Sequence, residues 1–167
     1  MTTVIFSHGK DSEPWGAKIT AMAATARRHR LRVESVDYRG LDDPAARVQK
    51  LLEFCRTMDG DLILVGSSMG GHVSAAVSAH VQTRAMFLLA PAFFMRGYEQ
   101  YTPVPAECPI VIVHGWNDDI VPVENAIRFA REYKSELHVL DSDHRLTADI
   151  ALICELFDLF LKKVERS

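Results

Sequence analysis

A chain of 167 residues can bury one substantial core but is too short for two ordinary domains, so residues 1–167 read as a single domain. With 48% apolar and 25% charged residues and a formal net charge of −3, it has the composition of a globular protein and offers nucleic acid no electrostatic footprint. No apolar run reaches bilayer-spanning length, and Cys55, Cys108 and Cys154 lack the paired spacing of a disulfide framework or a zinc site.

The opening Met1–Phe6 has neither a basic leader nor a secretory-length apolar run, so no signal peptide is expected and a cytoplasmic location with reduced thiols is the simplest home. Thr3–Phe6 is a β-branched and aromatic run that predicts a strand ending at Ser7-His8-Gly9. After a polar loop, Pro14 to His29 carries Trp15, Ile19, Met22, Ala23 and Ala26 at helical spacing, with Pro14 suited to a first turn. The basic cluster Arg27, Arg28, His29 and Arg30, with Arg32 beyond it, falls where that helix ends. There cations complement the helix dipole, and a solvated helix end is expected.

Leu31 to Tyr38 is the next strand, and Asp43-Pro44 begins a helix with the apolar stripe Val48, Leu51, Leu52 and Cys55. Leu62–Val65 reads as a buried strand ending at Gly66, and the small, alanine-rich run from Met69 to about Val81 as a helix. Ala85 to Ala90 is a strand. Pro91 to Cys108 is broken by Pro103 and Pro105, with Pro109 just beyond, and reads as loop with at most a short helix; it carries Phe93, Phe94, Met95, Tyr98 and Tyr101. Ile110–Val113 is a strand, Pro122 opens a helix with Ala126, Ile127, Ala130 and Tyr133 on one face, and Leu137–Leu140 is the last strand. In the terminal helix, Leu146 to Val164, Ile150, Ile153, Phe157 and Phe160 are predicted to face the core. Leu152, Leu156 and Leu159 form a second apolar stripe that implies deeper burial or, as the lesser expectation, a homodimer.

Strands alternating with helices predict a three-layer α/β/α sandwich on a mainly parallel sheet of about six strands. Ligands bind such sheets beyond the carboxyl ends of the strands. The strand assignment alone puts His8, Ser68, Asp118 and His144 at that edge, although they are far apart along the chain.

Gly66-Ser67-Ser68-Met69-Gly70 is a G-x-S-x-G run between a strand and a helix, the pattern of a nucleophile elbow. A serine hydroxyl needs a base within hydrogen-bond reach, and a histidine, with its pKa near neutrality, suits that role. His144 is the candidate base and Asp118 the carboxylate that would orient it; Asp119 is the weaker alternative, and Asp141 and Asp143 read as turn residues. Ser67 should point away from the site. His8 and His114 read as braces for the loops after their strands, His72 as a packing or surface residue, and His29, His80 and His138 have no motif around them.

With these residues together, the chain resembles a minimal α/β-hydrolase of the small serine esterase kind. The resemblance runs from His8-Gly9 through the elbow to His114-Gly115-Trp116-Asn117-Asp118-Asp119-Ile120-Val121-Pro122, which matches an H-G-x-x-D-x-x-V-P segment, and to the late His144. The order Ser68, Asp118, His144 is that of the family. Against the family pattern, the two further strands usual before the one ending at His8-Gly9 are not expected here, nor is a lid between Ala90 and Ile110. The resemblance implies an oxyanion hole from the backbone N–H groups of Met69 and Lys10, and acyl-enzyme chemistry that requires no metal or organic cofactor. His8, Phe93, Phe94, Met95, Tyr98 and Trp116 are candidate lining for an open pocket that takes a small-molecule ester of a short or medium acyl group. Thioesters and amides are alternatives on the same residues, and a non-catalytic binding or regulatory protein of the same fold is the competing class.

Overall fold

A computed structural model describes residues 1–167. Its strands are β1 (Thr3–Ser7), β2 (Arg32–Val36), β3 (Leu62–Ser67), β4 (Thr83–Leu89), β5 (Ile110–Gly115) and β6 (Glu136–Leu140), and its helices are α1 (Ala17–Arg28), α2 (Pro44–Arg56), α3 (Met69–Ser78), α4 (Val123–Tyr133) and α5 (Ile150–Glu165). The strands form one sheet in the order β2-β1-β3-β4-β5-β6, and every neighbouring pair is parallel. Strand order reverses between β1 and β3, which opens a crevice at the carboxyl edge there.

Period-two alternation along the strands supplies two cores. Val4, Phe6, Ile63, Val65, Phe87 and Val113 face one side and meet α1 and α5. Ile5, Leu62, Leu64, Met86, Leu88 and Ile112 face the other and meet α2, α3 and α4. On the first side the α5 rings Phe157 and Phe160 pack against Phe87 at centroid distances of 5.1 and 5.4 Å, and Phe157 also meets Phe6. Burying rings of this size contributes on the order of 2–3 kcal/mol each.

The structure departs from the sequence expectations at several element ends. Helix α1 begins at Ala17, three residues after Pro14, because the Pro14 carbonyl accepts the Ser35 hydroxyl and Gly16 N–H closes a turn onto Glu13. The basic end of α1 is tethered rather than simply solvated: His29 bridges Asp158 and Glu165 of α5 at 2.8 and 2.9 Å. The terminal helix begins at Ile150. Leu146 takes a positive φ of 58° under a turn capped by Asp143, and a 3₁₀ turn, Thr147–Asp149, intervenes. On α5 the buried set is Ile153, Phe157, Phe160, Leu161 and Val164; of the second stripe, Leu156 packs against the first core whereas Leu152 and Leu159 remain 39% and 54% exposed. Strand β5 runs on through His114 and Gly115 because β6 supplies Val139 and Leu140 as partners. No helix is long and apolar enough to cross a membrane.

The elbow depends on backbone packing against backbone. A Cβ at Gly66 would land on the Gly70 carbonyl, and one at Gly70 on the Ser7 carbonyl at the end of β1. Gly70→Ala should therefore cost about 3 kcal/mol, a fall in Tm of about 6–12 °C for a chain of this size. Gly16→Ala, whose Cβ would meet nothing nearer than 3.8 Å, should cost less than about 1 kcal/mol. Calorimetric melts of the two variants check the contrast, and equal melting points would refute this account of the elbow.

Candidate active site

Ser68 stands between β3 and α3 with φ 54° and ψ −118°, a strained conformation for a residue with a side chain. The turn is held from both ends. Ser68 N–H donates to the Leu89 carbonyl, and its own carbonyl accepts N–H groups from Gly71, His72 and Ala92. These bonds leave the Ser68 hydroxyl free to point out of the turn, where it lies 2.9 Å from His144 Nε2.

Asp118 and His144 come from the loops after β5 and β6, and the two loops are zipped together. Trp116 N–H donates to the Leu140 carbonyl and Asn117 N–H to Ser142, while the Asn117 side chain donates to Asp141. The zip requires Gly115, since a Cβ there would strike the carbonyls of Ser142 and Asp143. His144 Nδ1 and Asp118 Oδ2 are consequently 2.7 Å apart.

The Asp118 side chain is fully buried. Its Oδ1 accepts the N–H groups of Ile120 (2.9 Å) and Val121 (2.7 Å), and its Oδ2 has His114 Nε2 at 3.1 Å beside the His144 contact. The two backbone N–H groups and the His144 imidazole replace the water that a buried carboxylate loses, while the Nε2 proton of His114 goes to the Val121 carbonyl. Because a carboxylate only accepts, His144 carries its proton on Nδ1 and presents the bare Nε2 to Ser68. Asp119, by contrast, is exposed on the next position of the loop.

The loop after β1 closes the other side of Ser68. Gly9 sits so near the elbow that a Cβ on it would lie 3.5 Å from Ser68 Cβ. His8 is fully buried: its Nε2 accepts the Tyr38 N–H at 2.8 Å, so the neutral ring carries its proton on Nδ1 and donates to the Gly9 carbonyl at 2.7 Å. The N–H groups of Lys10 and Met69 have no acceptor within the protein. Met69 opens α3, so its N–H also lies at the positive end of a helix. No group of three or more His, Cys, Asp or Glu residues is arranged to hold a metal ion.

Two of the residues read as pocket lining present no surface to a ligand. His8 lies behind the Gly9 carbonyl, as described. Phe93 is 0% exposed because its ring stacks on Phe129 of α4 at 3.9 Å, within the second core. Phe94 and Met95 are half-buried, Phe94 with the Arg128 guanidinium 3.8 Å over its ring, while Tyr98 and Trp116 are 66% and 58% exposed on the loops after β4 and β5. Sequence reasoning missed several residues that shape these loops. Asn125 donates from α4 to the carbonyls of Phe93 and Phe94, Asn117 joins the zip, and Tyr38 fixes the His8 tautomer. The signal available for Asn125 was a polar side chain beside the apolar face of its helix.

Comparison with known proteins agrees with this architecture. The model of the alpha/beta hydrolase family matches residues 4–144, and the chain belongs to that family. A crystal structure from Xanthomonas campestris pv. campestris, assigned to the alpha/beta hydrolase superfamily, superposes with a TM-score of 0.89 at 34% identity, covering 96% of this chain and 98% of that one. Est1E of Butyrivibrio proteoclasticus, solved with ferulic acid bound, shares the fold with a TM-score of 0.82 at 17% identity, over 100% of this chain and 90% of that one. Among curated sequences, the mitochondrial palmitoyl-protein thioesterase ABHD10 of Bos taurus is 34% identical over 70 residues, and the human protein 36% identical over 70. Those matches take in 38% of this chain and only 23% of the curated relatives' length.

Burial holds the imidazoles of His8, His72 and His114 below the ordinary histidine range; at His8 the cationic Arg47 and Arg39 act in the same direction, and the Gly9 carbonyl and Asp37 oppose them. The unfolded chain therefore takes up protons first as pH falls. The stability that comes from keeping these rings neutral is complete above their unfolded value of about 6.5 and is lost as pH drops toward the native values. The urea midpoint should accordingly fall between about pH 7 and 5.5, above the range where carboxylates titrate; a flat midpoint over that interval would refute the assignment. Phe93→Ala should cost about 3–5 kcal/mol in stability, and Tyr98→Ala less than about 0.5 kcal/mol. Denaturant titration of the two variants distinguishes a core ring from a surface one.

Proposed function

We infer that this hydrolase is a serine hydrolase that cleaves carboxylic esters of short or medium acyl groups through an acyl-enzyme intermediate. The observation that carries the reading is the unbroken hydrogen-bonded chain from Ser68 Oγ through His144 to the buried Asp118 carboxylate. As Ser68 Oγ attacks the ester carbonyl carbon, His144 Nε2 takes its proton, and Asp118 stabilises the imidazolium without becoming protonated. The carbonyl oxygen becomes an oxyanion between the unpartnered N–H groups of Lys10 and Met69. Collapse of the tetrahedral intermediate expels the alcohol, which receives the proton from His144. Water then attacks the acyl-enzyme with the same histidine as base, releasing the acid and restoring Ser68.

What surrounds the serine supports this substrate class. Two shallow surface clefts lie on α4 and at the α1–α5 border, away from Ser68. Half-buried Phe94 and Met95 and exposed Trp116 and Tyr98 supply apolar surface on loops at the carboxyl edge, suited to a short chain more than to a long one. One comparison favours a second reading: the curated relatives are palmitoyl-protein thioesterases, and a thioester passes through the same acyl-enzyme.

Incubation with a fluorophosphonate and peptide mapping should find a stoichiometric adduct on Ser68, lost in His144→Ala. Turnover of p-nitrophenyl acetate or butyrate should fall by at least about 10³-fold in Ser68→Ala and His144→Ala. A folded protein that neither reacts with the probe nor turns over any short ester or acyl thioester would instead be a binding protein on a hydrolase fold. Matched panels of oxygen esters and thioesters decide between the two substrate readings. A kcat/KM preference of more than about tenfold for thioesters, about 1.4 kcal/mol in the barrier, would select the second.

A further inference from the structure

Arg47 takes no part in the chemistry above, and its surroundings are unfavourable for a cation. It lies near the start of α2, where the helix dipole opposes positive charge, and it is 0% exposed. No carboxylate pairs with it; Asp42 and Asp11 act on it only at a distance. Every hydrogen bond from the guanidinium goes to a backbone carbonyl: Nε to Leu41 at 2.6 Å, Nη1 to His8 at 3.1 Å and Nη2 to Lys10 at 3.4 Å. The Tyr38 ring, 5.1 Å from the guanidinium carbon, covers one face.

Desolvating a cation without a counter-ion is costly, and a methionine or leucine of similar volume would avoid that cost. What those residues lack is a rigid fork of donors able to hold several carbonyls at once. Arg47 and His8 together hold three consecutive carbonyls. Arg47 takes those of residues 8 and 10, and the His8 ring takes that of Gly9 between them. In a trans peptide the N–H points opposite to the C=O. Fixing the Gly9 carbonyl and the peptide units on either side therefore fixes the direction of the Lys10 N–H, on a loop that Gly9 would otherwise leave free to rotate.

We propose that Arg47 is a positioning residue for the oxyanion hole, clamping the carbonyls of His8 and Lys10 so that the Lys10 N–H is preorganised toward the developing oxyanion. The proposal rests on the serine hydrolase reading above. A preorganised donor acts mainly in the transition state, so its loss lowers kcat and leaves KM nearly unchanged.

The test compares wild type, Arg47→Lys and Arg47→Ala with p-nitrophenyl butyrate, alongside thermal melts and NMR backbone order parameters at residues 9–11. Folded Arg47→Lys keeps the charge without the fork. It should lose about 10- to 100-fold in kcat, with KM within about threefold of wild type and lower backbone order parameters at Gly9 and Lys10. Methylguanidinium added to Arg47→Ala should restore at least about tenfold of the lost rate without changing wild type. A folded Arg47→Lys with wild-type kcat and wild-type order parameters at residues 9–11 overturns the proposal. So does a loss of fold in both variants that methylguanidinium does not reverse, which would make Arg47 a residue of stability alone. Fluorophosphonate labelling of wild-type Ser68 separates the two levels. Labelling and turnover in wild type with unaffected Arg47 variants defeats the Arg47 clamp only, whereas a wild type that neither labels nor turns over defeats the serine hydrolase reading and the clamp with it.

Discussion

The first turn of α3 presses its backbone directly onto the ends of β1 and β3, and the site is arranged around that contact. Gly70 touches the Ser7 carbonyl, Gly66 backs onto Gly70, and Gly71 leaves no room for a side chain against Pro91. With two strands and a helix brought this close, the turn between Gly66 and Gly70 is tight, and its middle residue, Ser68, adopts a positive φ. The same approach brings the His8–Lys10 loop beside Ser68. Serine hydroxyl, helix N-terminus and β1 loop are therefore positioned by one packing constraint, while His144 and Asp118 are positioned separately by the β5–β6 zip.

Much of this architecture was legible because it is written in local patterns. Strands alternating with helices predicted a parallel sheet covered on both faces, and the glycine spacing around Ser68 predicted a tight turn. The spacing within His114–Pro122 singled out Asp118, which the structure puts in contact with His144 while Asp119 stays exposed. What could not be read was set by contacts across the chain. An arginine one position before an apolar stripe looks like a surface residue, yet Arg47 faces inward because the carbonyls of residues 8, 10 and 41 converge on it. Phe93 sits in a proline-bounded loop that suggested a pocket wall, but the ring of Phe129, thirty-six positions later, claims it. The apolar stripes of the terminal helix gave no means to tell a buried leucine from an exposed one: Leu161 is enclosed and Leu159 is not.

The two histidines buried behind the site illustrate how polar groups are kept in an apolar layer. His8 is satisfied at both nitrogens, which fixes its tautomer and turns it into a brace for Gly9. His114 donates from Nε2 to the Val121 carbonyl and leaves Nδ1 without a partner. An unpaired ring nitrogen is tolerable because the neutral imidazole carries no charge there. Both imidazoles are held below the ordinary histidine range for the same physical reason, the cost of desolvating a cation.

The β5–β6 zip also bears on how the protein comes apart. Strand β6 is the outermost strand on its side, pairs only with β5 and has no fully buried residue. Such a strand is the natural place for partial opening well below the free energy of global unfolding. If it detaches, His144 leaves with it, but the elbow, the β1 loop and the two main cores remain folded. Under the serine hydrolase proposal, turnover would then vanish in molecules that still show native helix content, and an activity assay would report the docking of one peripheral strand rather than the integrity of the whole domain.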